Sequence, residues 1–330
     1  MFAAGSLIAQ QPQQTKELPK AQMTFRVTTD DGEPVQNVEV TTSTFLRWQP
    51  GEGFGKDIYQ DFKGKTDEKG VATLSFASER GDCRYSIFDV PGYYSTRNLE
   101  YQFKEAKEGK WQPWNPTVDV MLKPIINPIA MHARKMGFIT VPLELPQKGQ
   151  PVGFDLMAGD WVAPHGKGSV ADLVFTLKET IPFVRVEDPF DVTLTISFSN
   201  KGDGIQSSLA PINKGSDLRL PRSSPKEGYE QTLVKESGRP SAKKPINSGT
   251  REDQNYFFRV RTVLDEKGRI KSALYGKIFG DITSDVINSK TAFIQFTYCL
   301  NPNPNDRNME FDPKKNLFGT LPFNQRVTTP

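Results

Sequence analysis

The sequence predicts an all-β protein of two β-sandwich domains, Ig-like or transthyretin-like, and three observations carry that expectation. Apolar and polar residues alternate with a period of two in one segment after another, the pattern of a strand with one buried face. Turn-forming residues punctuate those segments: 26 Gly and 25 Pro among 330 residues, a usage that suits many strands joined by tight connections. The 22 Phe lead an aromatic content of 11%, core material that a disordered chain lacks. A length of 330 residues accommodates two domains of ordinary size.

Taken in order, the first strand is read from Met23, Phe25 and Val27 on one face against Thr24, Arg26 and Thr28 on the other. Asp30-Asp31-Gly32-Glu33-Pro34 then turns the chain: Asp caps its own backbone, Gly takes positive φ and Pro fixes the exit. Val38 and Val40 open a second strand. Thr66-Asp67-Glu68-Lys69-Gly70 is the next turn, followed by an alternating strand with Ala72, Leu74 and Phe76 on one side. Residues 84–90 form a further strand ended by Pro91-Gly92-Tyr93, and Val118, Val120 and Leu122 point inward from the strand that closes the unit.

These residues resemble the carboxypeptidase regulatory-like domains. The resemblance rests on Asp-Gly-Glu-Pro-Val at 31–35 with Val38 and Val40, Thr-Asp-Glu-Lys-Gly at 66–70 with its alternating strand, Tyr85, and Pro-Gly-Tyr-Tyr at 91–94. It covers residues 23–123, about a third of the chain. It implies a transthyretin-like β-sandwich that is not itself catalytic, of a kind often found in exported bacterial proteins beside other domains. The chain departs from that pattern by two aromatic-rich insertions, between the second strand and Thr66 and between Tyr94 and Thr117.

The expected organisation is therefore a signal-like remnant and polar tether over 1–21, the regulatory-like sandwich over 22–124, a connector over 125–150 and a second β-rich domain over 151–330. Pro124, Pro128, Pro142 and Pro146 bar a long helix from the connector. Its Ile125, Ile126, Ile129, Met131, Met136, Phe138 and Ile139 are too apolar for a free tether, so it is expected to pack on a domain. No family resemblance is recognised in the second half. Its strands are read at 171–177, at 191–198 and at 291–300, with a hairpin about Asp265-Glu266-Lys267-Gly268 flanked by alternation on both sides. The same tetrad stands at 67–70; the flanks do not align, so a shared turn and not a repeat is expected. Residues 200–254 read as a long polar loop.

The 42 Lys and Arg nearly balance the 39 Asp and Glu, for a net charge of +3, which gives no support to nucleic-acid binding. No apolar run approaches the roughly 18 residues of a membrane span. The stretch Phe2 to Ala9 followed by Gln10-Gln11-Pro12 has the pattern of the end of a secretory signal, with no basic residue before it, so a truncated signal and an exported, envelope or secreted protein are expected. Gln10 stands where a lipoprotein needs Cys. Cys83 and Cys299, in different domains, are too few for a disulfide framework and are expected as buried free thiols.

With His132 and His165 as the only histidines, nucleophile–His sites are hard to assemble, and Gly-x-Ser-x-Gly, His-x-x-Glu and His-Glu-x-x-His are all absent. A His-x-His pair of the kind transthyretin-like dioxygenases need is absent as well. The densest catalytic candidate is Gly159 to Gly168, where Asp160, His165 and Lys167 lie on a glycine-permissive backbone and offer acid–base chemistry for a hydrolase or lyase. The rival reading is a turn that Trp161 anchors to the core. Asp306, Asn308, Glu310 and Asp312 supply the hard oxygen ligands of a Ca²⁺ site without EF-hand spacing; the rival is an Asn-Pro turn entering a strand that shows Asn308, Glu310 and Asp312 to solvent. No other cofactor is expected. Trp48, Trp111 and Trp114 on the first-domain insertions, with Trp161, could stack on sugar rings; the rival is that such rings cover the ends of the sandwich. The sequence reading thus favours a non-catalytic structural, adhesive or ligand-binding role, with a glycan or another envelope protein as partner.

Overall fold

The computed structural model describes residues 17–330 apart from Glu52, 138–141, Val186, 212–213, Ala242 and Ser289. The signal-like run with Gln10, and the connector residues Phe138 and Ile139, lie outside the described residues. Strands account for 54% of the structure and helix for 1%, and the chain divides into two compact units, Met1–Leu122 and Lys123–Pro330. The all-β expectation holds in both.

In the first unit, strand Lys20–Thr29 pairs antiparallel with Val71–Ala77 and parallel with Thr117–Leu122. The second sheet is antiparallel, in the order Thr96–Gln102, Asp82–Ile87, Glu39–Gln49, Lys56–Lys65. Alternation puts Met23, Phe25 and Val27 fully inside, where they meet Leu74, Phe76, Val120 and Leu122 and, from the other sheet, Val40, Tyr85 and Ile87. Removing a ring such as that of Phe25 costs about 3–5 kcal/mol. Both insertions carry strands. The first lengthens the second strand and adds Lys56–Lys65 as its hairpin partner; the second holds Thr96–Gln102 and the small hairpin Glu105–Lys107 with Lys110–Gln112.

The second unit begins earlier than expected. The stretch read as a connector supplies an inner strand: Ile129–Met136 is antiparallel to Ala292–Asn301 and parallel to Phe311–Asn316. The sheet continues from Ala292–Asn301 through Ile270–Val286 and Gln254–Leu264 to Gly204–Leu209. A second sheet runs Asp160–Trp161, Val152–Asp155, Leu173–Ile181, Phe190–Ser197, Thr232–Arg239. The segment 200–254, read as a loop, instead supplies Gly204–Leu209 to the larger sheet and Thr232–Arg239 to the smaller one. The core between the sheets is aromatic, with Phe154, Trp161, Phe175 and Phe296 in mutual ring contact at 5.3–5.8 Å.

The larger sheet is buried on both faces. Tyr256, Phe258, Ile278, Ile294 and Tyr298 face the smaller sheet. Phe257, Tyr275, Cys299 and Met131 face the other way, under Leu220, Met309 and Phe311. Strands of this kind read as nearly continuous apolar runs and not as alternation.

The Asp-Glu-Lys-Gly tetrads prove to be one turn used twice. Asp67 accepts from Gly70 N through its carbonyl and from Lys69 N and Val71 N through Oδ1. Asp265 does the same for Gly268, Lys267 and Arg269. Gly70 at φ 72° and Gly268 at φ 75° supply the left-handed residue the turn requires.

Candidate functional site

The aromatic residues singled out in the sequence have separate fates. Trp161 is 5% exposed and belongs to the inner core of the second unit. Trp111 packs on Phe103 at 6.3 Å and donates its indole N–H to the Ser78 carbonyl at 3.0 Å, so it closes one end of the first sandwich. Trp161, taken as a ligand contact, is thus a core residue, while Trp111 keeps only part of its ring open to solvent. Trp114 remains partly exposed, with the Lys110 ammonium 5.3 Å from its ring centre.

Trp48 is different. It lies near the tip of the long hairpin, 54% exposed, with its indole resting on Gly55. A Cβ at position 55 would lie 1.9 Å from Trp48 Cζ2, so glycine is what lets the indole approach the backbone so closely. In register, Trp48 stands opposite Asp57, and Phe45 opposite Tyr59, across a bulge at Leu46. Directly opposed residues share a face, as do residues two apart on one strand, so all four side chains emerge on one side. Arg80 joins them, its guanidinium 3.5 Å from the Phe45 ring centre and 3.4 Å from Asp57 Oδ2. Arg80 is held there because Glu79 N donates to the Phe45 carbonyl and the Ser78 hydroxyl donates to the Arg80 carbonyl. The face thus offers two half-exposed rings, Trp48 and Tyr59, beside an ion pair with spare hydrogen-bonding capacity. Phe54, 95% exposed, projects from the same tip.

The hydrogen bonds of Asp160 go to backbone amides and not to His165. Asp160 Oδ1 accepts from Trp161 N at 2.8 Å and Oδ2 from Lys167 N at 2.9 Å, so the carboxylate organises its own loop. His165 and Lys167 are exposed on that loop. The Ca²⁺ candidates are likewise employed. Asp306 accepts from Asn308 N and Asn301 Nδ2, Asn308 Oδ1 from Glu310 N, and Asp312 from Lys314 N. Glu310 is fully buried and not solvent-facing as expected; it accepts from Ile126 N and Asn127 N and pairs with Arg222 at 3.2 Å. Among the described residues no group of three or more His, Cys, Asp or Glu is placed to hold a metal ion. Cys83 and Cys299 are free and buried, and burial pushes each thiol up to about 12, so they stay protonated at neutral pH.

Two polar clusters had not been anticipated. Arg261, at φ 55° in a bulge of its strand, turns its guanidinium inward to grip Asp172 through Nε and Nη2 and Asp155 through Nη2, each at 2.8 Å. Burial pushes the Asp172 carboxyl up against the pull of Arg261. Asp155 feels burial too, but amides of Ser169, Ala158 and Val170, with Arg261, hold it below its ordinary value. The difference follows from donors: Asp155 has several backbone amides, Asp172 only that of Leu156. Lys277 is fully buried on the outer face of the larger sheet, donating to the Met309 carbonyl at 2.5 Å, 4.8 Å from the Phe279 ring centre. Burial brings its ammonium down to about 8. The available signal was a carboxylate inside an apolar run, as in Phe154-Asp155-Leu156 and Ala171-Asp172-Leu173; such a group needs an internal donor.

No family model matches the sequence, and no curated protein matches it. Among solved structures, a variant of the shaft pilin spaA from Lactobacillus rhamnosus GG is similar at 15% identity and a TM-score of 0.21, covering 58% of this chain and 91% of that one. A DUF3823 family protein from Bacteroides ovatus ATCC 8483 is similar at 12% identity and 0.21, covering 85% and 98%. At such scores the likeness carries no inference about function. No helix among the described residues is long and apolar enough to cross a membrane.

Proposed function

We propose that this chain is an exported, non-catalytic β-sandwich protein of the cell envelope that binds carbohydrate through the Trp48 face of its first unit, itself a carboxypeptidase regulatory-like module. One observation carries the reading: the Trp48 indole is packed closely against Gly55 and half open to solvent, beside Tyr59 and the Asp57–Arg80 pair. A pyranose presents an apolar C–H face and a rim of hydroxyls. The open indole covers the first, and burying apolar area there drives association. The carboxylate and guanidinium hydrogen-bond the second, as acceptor and donors respectively. Export is supported by the apolar N-terminal run and its abrupt polar end. The non-catalytic reading is supported by Asp160, whose two oxygens are bound to amides of its own loop.

Affinity electrophoresis through gels containing a panel of soluble plant and bacterial polysaccharides tests the proposal. At least one polysaccharide retards the protein, and Trp48→Ala weakens that binding by about 2 kcal/mol or more, roughly thirtyfold, while Trp114→Ala binds as the parent does. Retention of binding in Trp48→Ala, or no retardation by any of the panel, contradicts it.

A further inference from the structure

The second unit holds a cleft of about 990 Å³, at the upper end of the range of ligand pockets. It opens between the ends of its two sheets. Phe190 and Val192 come from the smaller sheet, Phe293 from the larger, and Phe183 closes the wall with its ring 5.3 Å from that of Phe190. At the lip, Ile246 and Ile287 are 46% and 54% exposed, so apolar surface left uncovered in the free protein gathers at the mouth. Ser237 and Thr283 line it from different sheets. Asp285 is the one charged side chain on the described lining, and its Oδ2 accepts from Gln295 Nε2 at 2.7 Å, while Oδ1 accepts from no side chain among the described residues.

We propose that this cleft is a second binding site, separate from the carbohydrate face, and that it takes a small uncharged amphiphile: an apolar ring or chain body with a hydrogen-bond-donating head. The walls select the body. The charge selects the head: a carboxylate at the mouth, with no cation on the described lining, repels fatty acids, phosphates and other anions and accepts from a hydroxyl, amide or amine N–H. The volume suits a ligand of drug size and not a polymer chain. Association follows from burying the wall and lip against the ligand body, with Ser237, Thr283 and Asp285 fixing its orientation.

Two fluorescent probes with one body separate the elements of the proposal: neutral N-phenyl-1-naphthylamine and its anionic relative 8-anilinonaphthalene-1-sulfonate, titrated into the full chain at low salt. The neutral probe binds saturably at one site, and the sulfonate binds about tenfold more weakly or worse. Asp285→Asn closes that gap. Ser237→Trp and Thr283→Trp, on different sheets, each fill the cleft and abolish binding with an unchanged far-UV spectrum; if one fails to fold, the other decides. On the unaltered protein, saturating neutral probe slows amide exchange in 190–194 and 283–287. Absence of saturable binding, equal affinity for the two probes, or protection elsewhere in the chain overturns the proposal.

Discussion

The polar clusters of the second unit and the hairpin face of the first use similar residues in opposite ways. Around Arg261, two carboxylates and a guanidinium are turned inward, and each finds its hydrogen bonds inside the protein. Around Trp48, a carboxylate and a guanidinium sit beside rings that are turned outward and left half uncovered. Breaking a buried ion pair strands a charge in the interior and costs stability, whereas half-exposed rings beside partly used polar groups keep apolar surface open to solvent.

That contrast is most sharply tested by stability. Arg261→Ala leaves Asp155 and Asp172 buried without their cation, and the expected loss is about 3–5 kcal/mol, read from the denaturation midpoint. Lys277→Met probes the other internal cluster through pH. In the folded state its ammonium titrates at about 8, below the ordinary lysine value, so between pH 8 and roughly 10.5 the unfolded chain holds a proton that the folded one has released. Stability of the parent relative to Lys277→Met therefore rises with pH across that window, by up to about 3 kcal/mol. A difference that stays flat there places the ammonium in contact with water. Asp160→Asn, which loses a charged acceptor for two amides of its loop, costs about 1 kcal/mol. His165→Ala and Trp48→Ala, both exposed, stay within about 0.5 kcal/mol of the parent. A large loss in Trp48→Ala makes that ring part of the core and removes the contrast.

What was legible in the sequence follows the same division. Met23, Phe25 and Val27, or Val192, Leu194 and Ile196, alternate because one face of each strand is buried and the other is not. Where both faces are covered the signal fades. Ile129–Met136, lying between two strands and under Phe311, reads as an apolar connector, and its prolines, which stand outside the strand, strengthened that impression. Lys277 looks like a solvent-facing residue among Tyr275 and Phe279, because nothing local announces that Met309 passes over it. The hairpin tip was half legible. Gly51, Gly53 and Gly55 beside Trp48 and Phe54 mark a tight, aromatic turn, but that Gly55 lies beneath the indole depends on strand register, which the sequence does not spell out. Trp111 and Trp161, equal to Trp48 in composition, went inside because apolar partners surround them.

Two binding faces of different chemistry are proposed for this chain, and a crossed titration tests them directly. The polysaccharide that retards the parent protein and neutral N-phenyl-1-naphthylamine are each titrated into the parent, Trp48→Ala and Thr283→Trp. Trp48→Ala loses the polysaccharide and keeps the probe, and Thr283→Trp does the reverse. If either folded variant keeps both ligands, or loses both, the assignment of the two faces is wrong.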